Sequence, residues 1–111
     1  MHQEIYAKLR AVAKAGEIMH YYEVAPLAGL DMALQEDRNK IAVILDEIST
    51  FEHRQGHPLL SAVVIRTEDN IPGQGFFTLA RKLGLHTGND DFLFFVQELR
   101  RVHDHWSQLQ T

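Results

Sequence analysis

Residues 58–77, PLLSAVVIRTEDNIPGQGFF, constrain the fold more than any other stretch of this chain. Pro58 opens a nearly continuous apolar run, and the polar Glu68-Asp69-Asn70 turn follows it. A run this rich in Val and Ile predicts a strand over residues 59–66, buried on both faces rather than lying at a solvent-facing edge. Beyond the turn, Gly73 and Gly75 flank Gln74, a spacing that marks backbone which bends tightly or is closely approached. A helix is expected over residues 75–83, closed by Gly84. The stretch holds no nucleophile–base pair, metal-ligand cluster or phosphate cradle, so it names no reaction.

Around this segment the pattern is helical. Ile5, Leu9, Val12 and Ala13 recur at helical spacing over residues 3–15, with Gly16 as a stop. Residues 18–22 read as a short extended segment. A short irregular helix over residues 22–28 follows, containing Pro26 and ending near Gly29. Asp31 is the expected cap of the next helix, residues 35–54, where Ile41, Ile44, Leu45, Ile48 and Phe51 form one apolar stripe. Glu36 and Lys40 are a favourable i,i+4 pair on it. The final helix is expected to start with Asn89 as cap and with Asp90 and Asp91 in its first turn. Its apolar positions, Phe92, Phe95, Leu99, Val102, Trp106 and Leu109, make a coiled-coil-like seam that Leu93 and Phe94 widen. The fold class this predicts is α+β, mainly helical, in a single domain spanning 1–111. It has a winged-helix-like centre with a short strand and turn, and a long C-terminal helix.

Composition narrows the functions. The apolar fraction of 45% and charged fraction of 23% are those of an ordinary globular protein. No run approaches the roughly 18 apolar residues of a membrane span, and the N-terminus lacks the basic-then-apolar order of a signal peptide. A cytoplasmic location is expected. The absence of cysteine removes disulfides, thiolate catalysis and cysteine-based zinc sites. With a formal charge of −4, and neither half of the chain basic, no strong phosphate-binding footprint is visible. Seven histidines are scattered along the chain, and protonating all of them would move the formal charge from −4 to +3.

Several groups could carry chemistry. Glu47, Glu52 and His53 are the carboxylate–imidazole set with a catalytic flavour, loosely gathered on one polar side of their helix; the alternative is a solvated face. His103 and His105 sit two apart on a helix, about 200° from each other, which argues against a shared metal ion. No metal and no cofactor are expected. Ser61 lacks the glycine-flanked elbow of a hydrolase nucleophile and reads as a small core hydroxyl. Tyr21, Tyr22, Arg38, Asn39 and Lys40 are the nucleic-acid candidates, since tyrosine can bond a phosphate or stack on a base and the Arg-Asn-Lys trio could face a groove. Their helix opposes this with five acids against three bases.

Four segments together resemble the DNA-binding domain of alkylguanine-DNA alkyltransferases and alkyltransferase-like proteins: HYYEVAPLA (residues 20–28), the helix bearing Arg38, PLLSAVVI (residues 58–65) and LARKLGL (residues 79–85). The resemblance implies a winged-helix centre. Within it Tyr21 matches the family tyrosine, Glu23 the acidic residue two later and Pro58 the proline of the family's Pro-Cys-His-Arg strand, while Arg38 falls near the arginine that supports base flipping. Leu59 and Leu60 stand where the family has its reactive Cys and His, and Ser61 where it has Arg, so no alkyl-acceptor chemistry is implied. The PLLSAVV…PGQGFF segment also looks like small bacterial domains, some associated with restriction or phage proteins, whose likeness carries no established activity.

Three functional readings remain. The first is a non-enzymatic interaction module that self-associates, as a homodimer, or binds a protein partner, through Phe92, Phe94, Phe95, Leu99, Val102, Trp106 and Leu109. The second is a winged-helix-type DNA-binding protein using Tyr21, Tyr22, Arg38, Asn39 and Lys40. The third is a small hydrolase using Glu47, Glu52 and His53.

Overall fold

The chain begins its first helix on a histidine. In the computed structural model, which describes residues 1–108, the His2 ring accepts from the Ile5 N–H (3.1 Å) at the head of α1, Gln3–Lys14. Ile5, Leu9, Val12 and Ala13 form its buried face, at the spacing expected of them. A short strand β1, Met19–His20, follows, then a helical turn α2, Tyr21–Val24, and a 3₁₀ turn, Ala25–Ala28, ending at Gly29. The extended segment is thus shorter than residues 18–22, and both tyrosines belong to α2.

The long helix α3 spans Gln35–Arg54, but Asp31 does not cap it. The cap position is Leu34; Asp31 instead shapes the preceding turn, its Oδ1 accepting from the Ala33 N–H (2.9 Å) and its own N–H donating to Asp37 (2.9 Å). The buried line of α3 is Ile41, Leu45, Ile48, Ser49 and Glu52, whereas Phe51 is 42% exposed and meets Tyr6 edge-on. Intervals of four, three and four from Ile41 arrive at Glu52, so Phe51 falls one step, about 100°, off the line.

The largest departure from expectation is in residues 59–66. Leu60–Val63 form a 3₁₀ turn, and the strand, β2, is limited to Val64–Ile65. It pairs in parallel with β1, Met19 opposite Val64 and His20 opposite Ile65. The segment is buried on every side, as expected, but a buried strand needs ladder partners along its whole length, and here side chains supply them instead. Leu59 N–H donates to Glu98 Oε2 (2.8 Å), and Ser61 N–H donates to Ser49 Oγ (3.0 Å). The Ala62 N–H closes the turn onto the Leu59 carbonyl (3.1 Å). Ser61 is accordingly the core hydroxyl expected, 2.6 Å from Ser49 Oγ.

After the turn at residues 68–70, α4 spans Gln74–Lys82 and α5 spans Asp91–Ser107. Asp90, rather than Asn89, caps α5, accepting from the Leu93 N–H (2.9 Å). One hydrophobic cluster draws on all of these elements, with Leu59, Leu60 and residues 62–65 at its centre between α1, α3 and α5. Phe95 and Val102 enter this core, and Phe94, Leu99 and Trp106 pack against it. Most of the seam on α5 therefore faces inward, leaving Phe92, Leu93 and Val96 exposed; Leu109 lies outside the described residues. No helix among the described residues is long and apolar enough to cross a membrane.

Glu98 is 1% exposed and holds both the Leu59 N–H and the Arg101 guanidinium, which is itself in solvent. Glu98→Ala strands a buried donor and is expected to lower unfolding free energy by about 2–3 kcal/mol in urea titration. Arg101→Ala removes only an exposed partner and should cost less than about 1 kcal/mol. Equal losses in the two variants would show that the ion pair, not the buried N–H, is what matters.

Candidate functional site

The tyrosines of α2 reach across the molecule to the glycine turn before α4. Tyr21 Oη accepts from the Gly73 N–H (2.9 Å), a contact spanning 52 residues of sequence. A Cβ on Gly73 would lie 3.1 Å from that hydroxyl oxygen, so a side chain there would push the tyrosine back by a few tenths of an ångström. At Gly75, by contrast, a Cβ would meet nothing within 4 Å. β1 pairing with β2 places α2 where this contact can form.

The contact forms one rim of a cleft of about 670 Å³. Its walls bring together Tyr21, Tyr22, Arg38 and Asn39 with residues 73–75, over a floor of apolar groups from α3 and Phe76. Tyr22 is 58% exposed and stacks on the His20 ring at 5.3 Å between centroids. Arg38 is fixed in place, donating to the Met32 carbonyl (2.7 Å) and to Gln35 Oε1 (2.8 Å). Lys40 is the candidate the cleft leaves out. It lines a separate shallow depression with Leu30, Val43 and Ile44.

Three further charged groups, Asp46, Arg66 and Glu68, line the cleft and belong to no sequence motif. Arg66 is held by Asp69 in a forked ion pair. Asp46 is half-buried, and burial raises its carboxyl above the usual carboxylate range, opposed at a distance by Lys82. A periodic signal for it does exist: Gln35, Asn39, Ala42 and Asp46, at intervals of four, three and four, share one helical face beside the apolar stripe. The Tyr21 hydroxyl is likewise raised by burial, with the Gly73 N–H opposing the shift.

The proposed hydrolase set is not gathered. Glu47 is exposed beside the N-terminal amine (3.6 Å), Glu52 is fully buried, and no hydrogen bond joins Glu52 to His53 among the described residues. Glu52 instead accepts from Tyr6 and pairs with His57 Nδ1 (2.6 Å). Burial, with the Glu52 contact, pushes the Tyr6 hydroxyl up to about 12, so it keeps its proton as a donor. His57 also packs on the His105 ring (4.3 Å between centroids), and Trp106 meets both rings edge-on. His103 points elsewhere, its Nε2 2.8 Å from the Glu17 carbonyl. Sequence spacing favoured His53 because it is adjacent to Glu52; His57 reaches the carboxylate only because the helix ends and the chain folds back.

No protein-family model, no curated protein and no solved structure matches the chain.

Burial of the His105 ring, with His57 beside it, is expected to make the end of α5 sensitive to acid. His105 is held below the usual histidine value by burial first and by His57 second, and its Nε2 is buried without a partner among the described residues. The folded chain therefore takes up this proton less readily than the unfolded chain. Stability should fall as pH drops below the ordinary histidine value of about 6.5. Trp106 is the only tryptophan and reports on this site directly. Its emission should shift to the red between about pH 6.5 and pH 5, and His105→Phe should flatten the profile. Superimposable profiles for variant and wild type would remove His105 from the cause.

Proposed function

We propose that the chain is a non-enzymatic interaction module that holds a short single-stranded stretch of nucleic acid in the Tyr21–Gly73 cleft. The observation that carries this reading is the convergence of Tyr21, Tyr22, Arg38 and Asn39, with the glycine turn, on one cavity. An exposed tyrosine at the mouth supplies a platform on which any base can stack. The first turn of α4 and Arg38 both line this space, and a helix start with unpaired N–H groups beside a guanidinium is a setting in which a phosphate would be held. Arg38 and Arg66 are balanced by Asp46 and Glu68, which argues against a long phosphate track and against duplex docking along the acidic α3. The winged-helix likeness of the centre belongs to this proposal, with the cleft beside α3 in place of the helix's outer face as the contact surface.

Fluorescence anisotropy with a labelled single strand tests it. At physiological salt the expected dissociation constant is on the order of 10–100 μM, with a log–log salt slope near about −1, as for one or two phosphate contacts. A duplex of the same length should bind at least about tenfold more weakly. Tyr22→Ala should weaken the single strand by roughly tenfold, the loss of one base stack. Failure to bind single strands at any accessible concentration, or a duplex that binds better, rejects the reading.

A second reading, self-association, is favoured by one observation: Phe92, Leu93 and Val96 expose 62%, 51% and 43% of their surface on the first turns of α5. Pairing this patch with that of a second copy would bury three large apolar side chains per chain, each worth about 1.5–3 kcal/mol when fully covered. Sedimentation equilibrium should then show a dimer that Phe92→Ser weakens at least about tenfold. A monomer up to near-millimolar concentration ends this reading and leaves the cleft as the working surface.

A further inference from the structure

The Asp46 carboxylate differs from the other acids packed into this fold. Glu52 is bonded to Tyr6 and His57, Glu98 to the Leu59 N–H and Arg101, and Asp91 to His86 and Arg81. Asp46 makes no hydrogen bond or ion pair with any described residue, and its half-buried side chain lines the cleft beside Ala42 and Leu45, with its carboxylate still open to solvent and to a ligand. A partly desolvated carboxylate with open acceptor positions gains from a donor that replaces its remaining water. Such groups concentrate where a ligand supplies that donor.

The groups around it narrow what the donor is. The Tyr21 hydroxyl accepts from Gly73 and keeps its own proton to give. The N–H groups of Gln74 and Gly75, in the first turn of α4, have no partner among the described residues. With the exposed Tyr22 ring, the cleft lining offers an aromatic surface, unpaired backbone donors and one unpaired carboxylate acceptor. A lysine side chain would use only the acceptor. A nucleotide uses all three.

Resting on the reading above, we infer that Asp46 reads the base, accepting from an exocyclic amino group, so that the cleft prefers cytosine-bearing single strands to thymine-bearing ones. The two pyrimidines stack alike but differ at position 4. Cytosine presents an amino donor that a carboxylate accepts, and thymine presents a carbonyl oxygen that it repels. Asparagine at position 46 removes the charge and offers a donor as well as an acceptor, which suits either base.

Anisotropy titrations of labelled oligo-dC and oligo-dT, each of about eight nucleotides, test this against wild type and Asp46→Asn. Wild type should favour oligo-dC by about tenfold. Asp46→Asn should melt at the same temperature or higher, because it removes an unpaired half-buried charge, and its preference should shrink below about twofold. Equal affinity of the wild type for both oligomers overturns the base-reading role and leaves the single-strand reading intact. Binding to neither overturns both. A lysine-containing tripeptide that binds in an Asp46-dependent way, while the oligomers do not, assigns the acceptor to a peptide partner and also overturns the inference.

Discussion

Burial of an irregular backbone segment is the constraint on which the rest of this structure depends. Residues 58–65 lie within the core, where unpaired peptide groups would cost about 1–3 kcal/mol each. They form neither a long helix nor a long strand, so the necessary partners come from neighbouring side chains: Ser49 on α3 and Glu98 on α5. Those two residues occupy positions where the periodicity calls for apolar groups. Replacing them with leucine would look better on a helical wheel and leave the segment's N–H groups unpaired. The segment in turn fixes the three helices around it, because α1, α3 and α5 all pack on the same Leu60–Val63 turn.

From that centre the cleft follows. Val64–Ile65 leave the 3₁₀ turn extended and pair with Met19–His20, and that short ladder fixes where α2, which follows β1 directly, begins. Tyr21 then lies against Gly73, tying the loop before α4 to α2. The two-residue strands contribute little stability by themselves. Their value is positional: they hold two segments of distant sequence in a register that closes one wall of the cleft onto the other.

The acidic side chains divide into two kinds, and the division separates structure from candidate function. Glu52 and Glu98 are buried with complete sets of partners and act as connectors between elements. Asp46 is only half-buried and has none among the described residues. Its carboxylate is the acid of the cleft lining left open to a ligand, which is why the proposal centres on it.

The sequence by itself determined the helices, since apolar spacing at 3.6 residues is local: α1 and α3 start and end within a residue or so of their expected bounds, and the irregular turn through Pro26 was legible as well. It also marked Gly73 and Gly75 for a bend or a close approach, of which only Gly73 meets one, and singled out Tyr21, Tyr22, Arg38, Asn39 and Lys40. Only the tertiary structure decided that all of these but Lys40 share a cavity, and that Asp46 joins them. It also decided that residues 60–63 turn rather than extend, and that Glu52 takes His57 instead of His53. Periodicity records which face of an element is buried, because that depends on neighbours a few residues away. Which partner satisfies a buried polar group depends on chain segments tens of residues distant, and no local pattern encodes that choice.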